Sequence, residues 1–138
     1  MKKLIGIAVL LFFGAVTASA CLFCRYCPDT GQYICVNAPS PCICFNPGGG
    51  CVGVKCPDGY IEVYCCQHTQ SSTHSSLSSG AEEWRISLSD GHHIYLRTDN
   101  RDPNFDPLEG FKSGRVTVRE HNENGTILKA ISAEKEPS

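Results

Sequence analysis

The sequence predicts a small disulfide-rich N-terminal module plus a small all-β module, in which two antiparallel hairpins form a four-stranded sheet. Three observations predict this fold class. The chain has 138 residues, and its ten cysteines all lie within residues 21–66. An apolar leader precedes the cysteines, and the segment after them alternates apolar and polar residues around two short turns. The length indicates one or two small domains.

Residues 1–20 have the three parts of a secretory signal peptide. Two lysines near the start form the basic part, residues 4–16 form an apolar run, and Ala18-Ser19-Ala20 supplies the small side chains that signal peptidase requires. The apolar run is shorter than the roughly 20 residues of a transmembrane helix, and no second apolar segment follows it. We therefore expect a secreted, extracellular protein without a transmembrane anchor.

Cys21 directly follows the predicted cleavage site, where bacterial lipoproteins carry their lipid-bearing cysteine. Ala18 stands at a position where such lipoproteins usually have leucine. A lipid on Cys21 would also leave an odd number of cysteines for pairing. We therefore predict that Cys21 forms a disulfide, with a lipid anchor as the alternative.

The cysteine-rich segment, residues 21–66, predicts an all-disulfide framework. A short segment rich in proline and glycine buries too little apolar surface to fold without crosslinks, and each disulfide contributes about 2–4 kcal/mol. Thiolate metal ligation is the alternative, but zinc sites usually repeat their Cys-x2-Cys pairs, and exported thiols meet an oxidising compartment. Geometry predicts different partners for Cys65 and Cys66, and also for Cys42 and Cys44. The predicted disulfide residues are Cys21, Cys24, Cys27, Cys35, Cys42, Cys44, Cys51, Cys56, Cys65 and Cys66.

Two segments between cysteines are candidate display loops, residues 36–41 and residues 45–50. A rigid loop binds a partner at low entropic cost, which is how a disulfide-framed peptidase inhibitor gains affinity. The second segment contains Asn46-Pro47-Gly48-Gly49-Gly50, a composition typical of a plain turn. We favour the turn interpretation.

Residues 67–80 predict a flexible linker between the cysteine-rich module, residues 21–66, and the β module, residues 81–138. The segment is rich in serine, and its only apolar residue is Leu77. Such a polar segment buries too little apolar surface to become ordered.

The first hairpin of the β module turns at Asp90-Gly91. Apolar and polar residues alternate from Trp84 to Leu88, which indicates a half-buried strand. A three-residue loop places the apolar side chains of both strands on one face, whereas a two-residue loop would divide them between two faces. The predicted pairs are therefore Trp84–Leu96, Ile86–Ile94 and Leu88–His92.

The second hairpin turns at Asn124-Gly125, a dipeptide that strongly indicates a two-residue loop. Such a loop pairs Glu120 with Lys129 and Val118 with Ile131, which gives one charge pair and one apolar pair. The return strand is predicted over residues 127–133.

The predicted core of the β module is thin for a segment without disulfides. We therefore expect the sheet to pack on the cysteine-rich module, on a partner or on a second copy. Prolines within residues 98–113 predict irregular structure between the hairpins. The core candidates are Trp84, Ile86, Leu88, Ile94, Leu96, Phe105, Leu108, Phe111, Val116, Val118 and Ile131.

Acidic and amide side chains are concentrated in residues 99–109, and their oxygen atoms suit calcium. The spacing is not that of an EF-hand, and Asp and Asn are also ordinary turn residues, which is the alternative interpretation. The calcium candidates are Asp99, Asp102, Asn104, Asp106 and Glu109. We predict no other metal site and no cofactor.

Three histidines and one asparagine are further candidate site residues. His92, His93 and His121 suggest a metal site or a catalytic base, but adjacent strand residues point to opposite faces, so His92 and His93 cannot readily bind one ion. Asn124 begins the glycosylation sequon Asn-Gly-Thr, although the hairpin turn also requires the Asn-Gly dipeptide.

The sequence has no recognisable set of nucleophile, base and orienting residue, and no phosphate-binding glycine loop. The formal net charge of -2 does not indicate a nucleic-acid partner. We therefore expect a secreted, disulfide-stabilised, non-enzymatic binding protein that engages an extracellular protein or a cell surface, in the manner of an effector, a defence protein or a toxin. The alternatives are a peptidase inhibitor that acts through a disulfide-framed loop and an extracellular metal- or calcium-binding protein.

Overall fold

A computed structural model describes residues 19–57, 60–67, 81–100 and 102–137 of the chain. The predicted signal peptide and linker fall outside these residues, except for their positions 19, 20 and 67. The described residues form strands and one short helix. These are β1 (Ser19–Cys27), β2 (Gln32–Pro39), β3 (Ile43–Phe45), β4 (Cys51–Lys55), β5 (Ile61–Cys65), β6 (Glu82–Leu88), β7 (His93–Thr98), α1 (Glu109–Lys112), β8 (Val116–Glu120), β9 (Ile127–Leu128) and β10 (Ala130–Lys135).

The strands form two antiparallel sheets. A four-stranded sheet has the order β1-β2-β8-β9, and a six-stranded sheet has the order β10-β6-β7-β5-β4-β3. The predicted antiparallel β class is confirmed, but the split into two modules is not. Because β2 pairs with β8 and β5 pairs with β7, each sheet contains strands from both sides of residues 68–80. The strands after residue 80 therefore do not form a separate four-stranded sheet.

Inward-facing residues of the two sheets form one buried cluster. Ile34 and Val36 of β2 lie in it together with Ile86, Ile94 and Leu96 of β6 and β7, and all five are 0% exposed. The apolar residues of either segment alone make only a thin core, and a shared core buries more of them. The shared core explains why each sheet combines strands from both segments of the chain.

Five disulfides join all ten cysteines, and the described residues contain no free cysteine. Cys65 and Cys66 have different partners, and so do Cys42 and Cys44, as the geometry predicted. The sulfur of Cys21 is bonded to that of Cys44. The pairs are Cys21–Cys44, Cys24–Cys35, Cys27–Cys66, Cys42–Cys56 and Cys51–Cys65.

The first hairpin has the predicted register. Trp84 pairs with Leu96 and Ile86 with Ile94, and the Leu88 amide donates to the His92 carbonyl at 2.9 Å. The remaining loop residues are 89–91, and Gly91 has a φ of 92°, a left-handed conformation that favours glycine. The prediction succeeded because only this loop length keeps the apolar residues on one face.

The predicted register of the second hairpin is wrong. The Glu120 amide donates to the Thr126 carbonyl at 2.9 Å, so the loop spans residues 121–125 instead of two residues. Val118 therefore pairs with Leu128, which is buried, whereas Ile131 is 63% exposed and is not a core residue. After Leu128 the chain leaves the four-stranded sheet, and β10 pairs with β6 of the six-stranded sheet.

The remaining core candidates lie in the buried cluster or against it. Phe105, Leu108 and Phe111 are partly buried and pack against the cluster, as does Trp84. Residues 99–100 and 102–113 are irregular except for α1, a single helical turn shortly after Pro107. Among the described residues, no helix is long and apolar enough to cross a membrane.

A polar network joins β5 to the residue before β8. The Tyr64 hydroxyl donates to Glu62 Oε1 at 2.7 Å, and Arg115 Nη2 donates to both carboxylate oxygens of Glu62 at 2.9 and 3.1 Å. Burial, reinforced by the charge of Glu62, raises the pKa of Tyr64 well above its ordinary value, so the hydroxyl keeps its proton. A Cβ atom on Gly110 of α1 would lie 2.6 Å from this hydroxyl oxygen, so glycine is the residue that fits.

A candidate binding face on the four-stranded sheet

One side of the four-stranded sheet faces the shared core, and the other faces solvent. Along β2 the core side carries Ile34 and Val36, which are buried, and the opposite side carries Tyr33 and Asn37, because successive strand residues point to opposite faces. We call the solvent side the tyrosine face. Its residues are Leu22, Cys24 and Tyr26 of β1, Tyr33, Cys35 and Asn37 of β2, Thr117 and Arg119 of β8, and Ile127 of β9.

Large apolar side chains of the tyrosine face are exposed to solvent. Leu22 is 69% exposed, Ile127 is 54% exposed and Tyr26 is 42% exposed. The Cys24–Cys35 disulfide crosslinks the two strands that carry Leu22 and Tyr26. Exposed apolar side chains that share one small, crosslinked face are a feature of interaction surfaces.

Three rings form an aromatic cluster at one end of the tyrosine face. The ring centroids of Tyr26 and Tyr33 are 5.0 Å apart, and His121 lies edge-on to both, at 5.5 and 5.3 Å. The register causes this arrangement, because Tyr26 pairs with Tyr33 across the strands and His121 directly follows β8. Edge-to-face packing fixes the rings and leaves the polar atoms of tyrosine and histidine available for hydrogen bonding.

A concavity of about 550 Å³ lies over the tyrosine face. Leu22 and Asn37 border one end, Tyr33 and His121 border the other, and Arg119 lies opposite Tyr33 on the neighbouring strand. Arg119 is exposed and makes no ion pair with any residue that the structure describes. Glu120 also lines the concavity, and its Oε2 accepts from Asn122 Nδ2 at 2.8 Å. The concavity therefore combines aromatic walls with one unpaired guanidinium and one hydrogen-bonded carboxylate.

The sequence contains a signal for this face that the predictions did not use. Residues from Tyr33 to Ala38 alternate around Ile34 and Val36, which is the period of a half-buried strand. The cysteines within β1 and β2 favoured an irregular disulfide framework over strands. The contribution of Arg119 and His121 depends on the pairing of β2 with β8, which no local pattern reveals.

Four of the five calcium candidates lie before α1, and side-chain oxygen atoms of Asp99, Asp102 and Asp106 accept hydrogen bonds from nearby groups. Asp102 Oδ1 accepts from the Asn104 amide at 2.9 Å, and Asp106 accepts from the Leu108 amide at 2.9 Å and from Lys112 Nζ at 2.6 Å. Asp99 Oδ1 accepts from the amide of Ile61 at 3.2 Å, and Glu109 begins α1. These contacts are the ones that turn-forming Asp and Asn residues make. Across the described residues, no three His, Cys, Asp or Glu side chains come together to hold a metal ion.

The three histidines have different surroundings. His92 Nδ1 lies 2.9 Å from Asp90 Oδ2, whereas His93 Nδ1 lies 3.3 Å from Ser87 Oγ. His121 belongs to the aromatic cluster on the other sheet. The structure therefore does not bring the three histidines to one site.

Asp90 connects the first hairpin to the four-stranded sheet. Its Oδ2 accepts from Gln32 Nε2 at 2.7 Å, its Oδ1 accepts from the His92 amide at 3.0 Å, and Gln32 is 2% exposed. Partial burial acts to raise the pKa of Asp90, but the hydrogen bonds from His92 and Gln32 outweigh it, and the pKa is lowered.

We expect Asp90 to make folding stability depend on pH in the acid range. Its contribution is complete above the ordinary pKa of 3.8 and is lost as the pH falls through the lower pKa of the folded state. Urea unfolding between about pH 2 and about pH 6 should therefore show a smaller loss of stability on acidification for Asp90→Asn than for the unchanged protein. Glu123→Gln, in the exposed loop at 121–125, is the control and should retain the original slope. An unchanged slope in Asp90→Asn would contradict this role.

The two candidate display loops differ from expectation. Residues 36–39 belong to β2, and Val36 and Ala38 are 0% exposed, so this segment is not a display loop. In the second segment, Gly48, Gly49 and Gly50 all have positive φ angles, and Asn46 Oδ1 accepts from the Gly48 amide at 3.0 Å. This second segment is a left-handed turn, as its composition indicated.

The predicted glycosylation residue Asn124 is exposed in the loop at 121–125. The neighbouring Gly125 has a φ of 57° and borders the concavity of the tyrosine face. The sequon is therefore both accessible and close to the candidate binding face.

Comparison of the chain with protein-family models, curated proteins and solved structures finds no match.

Proposed function

We propose that this chain is a secreted, disulfide-stabilised, non-enzymatic binding protein, which engages an extracellular protein or a cell surface through the tyrosine face. Five disulfides within one segment are consistent with an oxidising extracellular compartment, where such bonds persist. The signal peptide predicted from residues 1–20 supports the same location.

The observation that carries the proposal is the composition of the tyrosine face. Leu22, Tyr33 and Arg119 line its concavity. Tyr26 and Ile127 are exposed on the same face of the sheet. Tyrosine and arginine are enriched among the residues that dominate binding energy at interfaces. The crosslink between β1 and β2 holds these side chains in place before binding, which reduces the entropic cost of association.

The alternative functions have less support in the structure. Inhibition of a peptidase requires a loop that enters the enzyme's active site. Residues 36–39 of one predicted loop belong to β2, and the other predicted loop is a left-handed glycine turn. The oxygen atoms proposed for calcium binding accept hydrogen bonds from amides and from Lys112. A binding protein that uses the tyrosine face is the function that the geometry supports best.

We expect the Leu22→Ala/Tyr26→Ala double variant to bind at least about tenfold more weakly, because truncating one interface anchor costs about 1–2 kcal/mol. The measurement is saturable binding of the fluorescently labelled, disulfide-intact protein to intact cells and to purified extracellular proteins. The matched control is Ile43→Ala/Ile131→Ala, which removes two apolar side chains, 55% and 63% exposed, outside the tyrosine face. Equal affinity of the two variants, or no saturable binding by the unchanged protein, would refute the proposal.

A further inference from the structure

We infer that the ligand of the tyrosine face is an acidic saccharide: a sugar carrying one carboxylate, as displayed on cell-surface glycans. This inference rests on the proposed binding function and assigns it to a cell-surface sugar instead of a protein. Three features of the face carry it: the aromatic cluster, the unpaired polar groups and the small area of the face.

The aromatic cluster offers rings to a sugar. Tyr26 and Tyr33 have their centroids 5.0 Å apart and are inclined at 51°, and Tyr26 is 42% exposed. The apolar C–H face of a pyranose ring packs against such an aromatic surface, while the phenol and imidazole groups remain able to bond to its hydroxyls. Polar groups at the border of a largely apolar concavity are the usual composition of a site for a small ligand.

Three polar side chains of the face have no partner among the described residues. Asn37, Thr117 and Arg119 make no side-chain hydrogen bond or ion pair there, although the neighbouring Asn122 bonds to Glu120 at 2.8 Å. Thr117 and Arg119 are two positions apart on β8, so their side chains lie on the same face, about 7 Å from each other along the strand. An amide, a hydroxyl and a guanidinium at this spacing match the hydroxyl groups and the single carboxylate of a short acidic saccharide.

Arg119 is the charged group of the concavity that has no partner among the described residues, because the carboxylate of Glu120, which also lines the concavity, accepts from Asn122. Arginine binds a carboxylate through two parallel hydrogen bonds, and Arg119 pairs with Tyr33 across the strands, so its side chain stands beside the aromatic cluster. The strands of the face present no second lysine or arginine on the same side. A sulfated polymer needs a row of cations, whereas one guanidinium fits one carboxylate.

The area of the face favours a small ligand over a protein. β2 and β8 pair over five residues, and the sheet has four strands, which corresponds to roughly 300 Å² of surface. A standard protein–protein interface buries about 800 Å² on each partner. The concavity of about 550 Å³ lies within the range of sites for small molecules, about 300–1,000 Å³.

Calorimetric titration of the full, disulfide-intact protein tests the inference. The probes are sialyllactose and a hyaluronan disaccharide, each of which carries one carboxylate, and their neutral counterparts are lactose and a chitin dimer. We expect at least one acidic sugar to bind about tenfold or more tightly than its neutral counterpart. Arg119→Gln should abolish that preference, and Lys129→Gln, which removes an exposed charge outside the face, should retain it. Because Arg119 is exposed, circular dichroism of the variant should match that of the unchanged protein.

Three results would overturn the inference: no binding of either acidic sugar, equal binding of acidic and neutral sugars, or tighter binding of a heparin fragment than of both acidic sugars. A separate measurement of binding to cells distinguishes failure of this inference from failure of the proposed function. If binding to intact cells requires Leu22 and Tyr26 but survives enzymatic removal of sialic and uronic acids, the face binds a protein and only the saccharide assignment is wrong.

Discussion

Replacement of Cys27 and Cys66 together by alanine is expected to lower the free energy of unfolding by about 3 kcal/mol, because the other disulfides already shorten the path between these residues in the unfolded chain. Their disulfide has a sequence separation of 39, the largest among the five. Removing a crosslink frees the unfolded chain, and the gain in conformational entropy increases with the length of the closed loop. Urea unfolding of the non-reduced variants measures this change.

The matched comparison is Cys24→Ala/Cys35→Ala, whose disulfide has a sequence separation of 11. The same entropic relation gives about 3 kcal/mol for this shorter loop. The two variants should therefore lose similar amounts of stability, provided that mass mapping shows the other four bonds unchanged in each. A larger loss from the shorter loop would show that packing, and not loop entropy, determines the contribution of these disulfides.

The second large effect is expected at Glu62. Glu62→Ala removes the carboxylate that accepts from Tyr64 and twice from Arg115, and it leaves a fully buried hydroxyl and a largely buried guanidinium without this partner. Breaking a buried ion pair by removing one partner costs about 3–5 kcal/mol, and the residual exposure of this pair places the expected loss at about 2–4 kcal/mol.

An exposed ion pair provides the control for Glu62. Glu134 pairs with Arg85 at 2.8 Å, but its side chain is 73% exposed, so Glu134→Ala should change the free energy of unfolding by less than about 1 kcal/mol. A double-mutant cycle of Glu62→Ala with Arg115→Met should give a coupling energy well above zero. Equal losses in the two single Glu variants would mean that the network does not join the sheets energetically.

Local sequence patterns correctly predicted those parts of the fold that depend only on residues close together in the chain. The register of the first hairpin followed from the need to place Trp84, Ile86 and Leu88 on one face. The separate partners of Cys65 and Cys66 followed from the limited reach of a disulfide between adjacent residues. In both cases a short stretch of chain contained the whole constraint.

Predictions failed where the outcome depended on distant residues. The Asn124-Gly125 dipeptide is compatible with two loop lengths, and the burial of Leu128 in a core shared with β2 selects the longer one. The tyrosine face likewise requires β2 to pair with β8, a contact between residues 80 to 88 positions apart in the chain. A prediction made for each segment as a separate module cannot include a strand pairing between the two segments.

Each sheet contains strands from both sides of residues 68–80, and this arrangement has a consequence for how the two parts of the chain are connected. All five disulfides lie within residues 21–66, so the backbone through residues 68–80 is the only covalent connection between that segment and the strands after residue 80. If a protease cleaved the backbone there, the product would be equivalent to a heterodimer, with two chains that contribute strands to both sheets and associate without a covalent bond. The cysteine-rich chain alone would then expose the edges of β2 and β5 that β8 and β7 otherwise occupy.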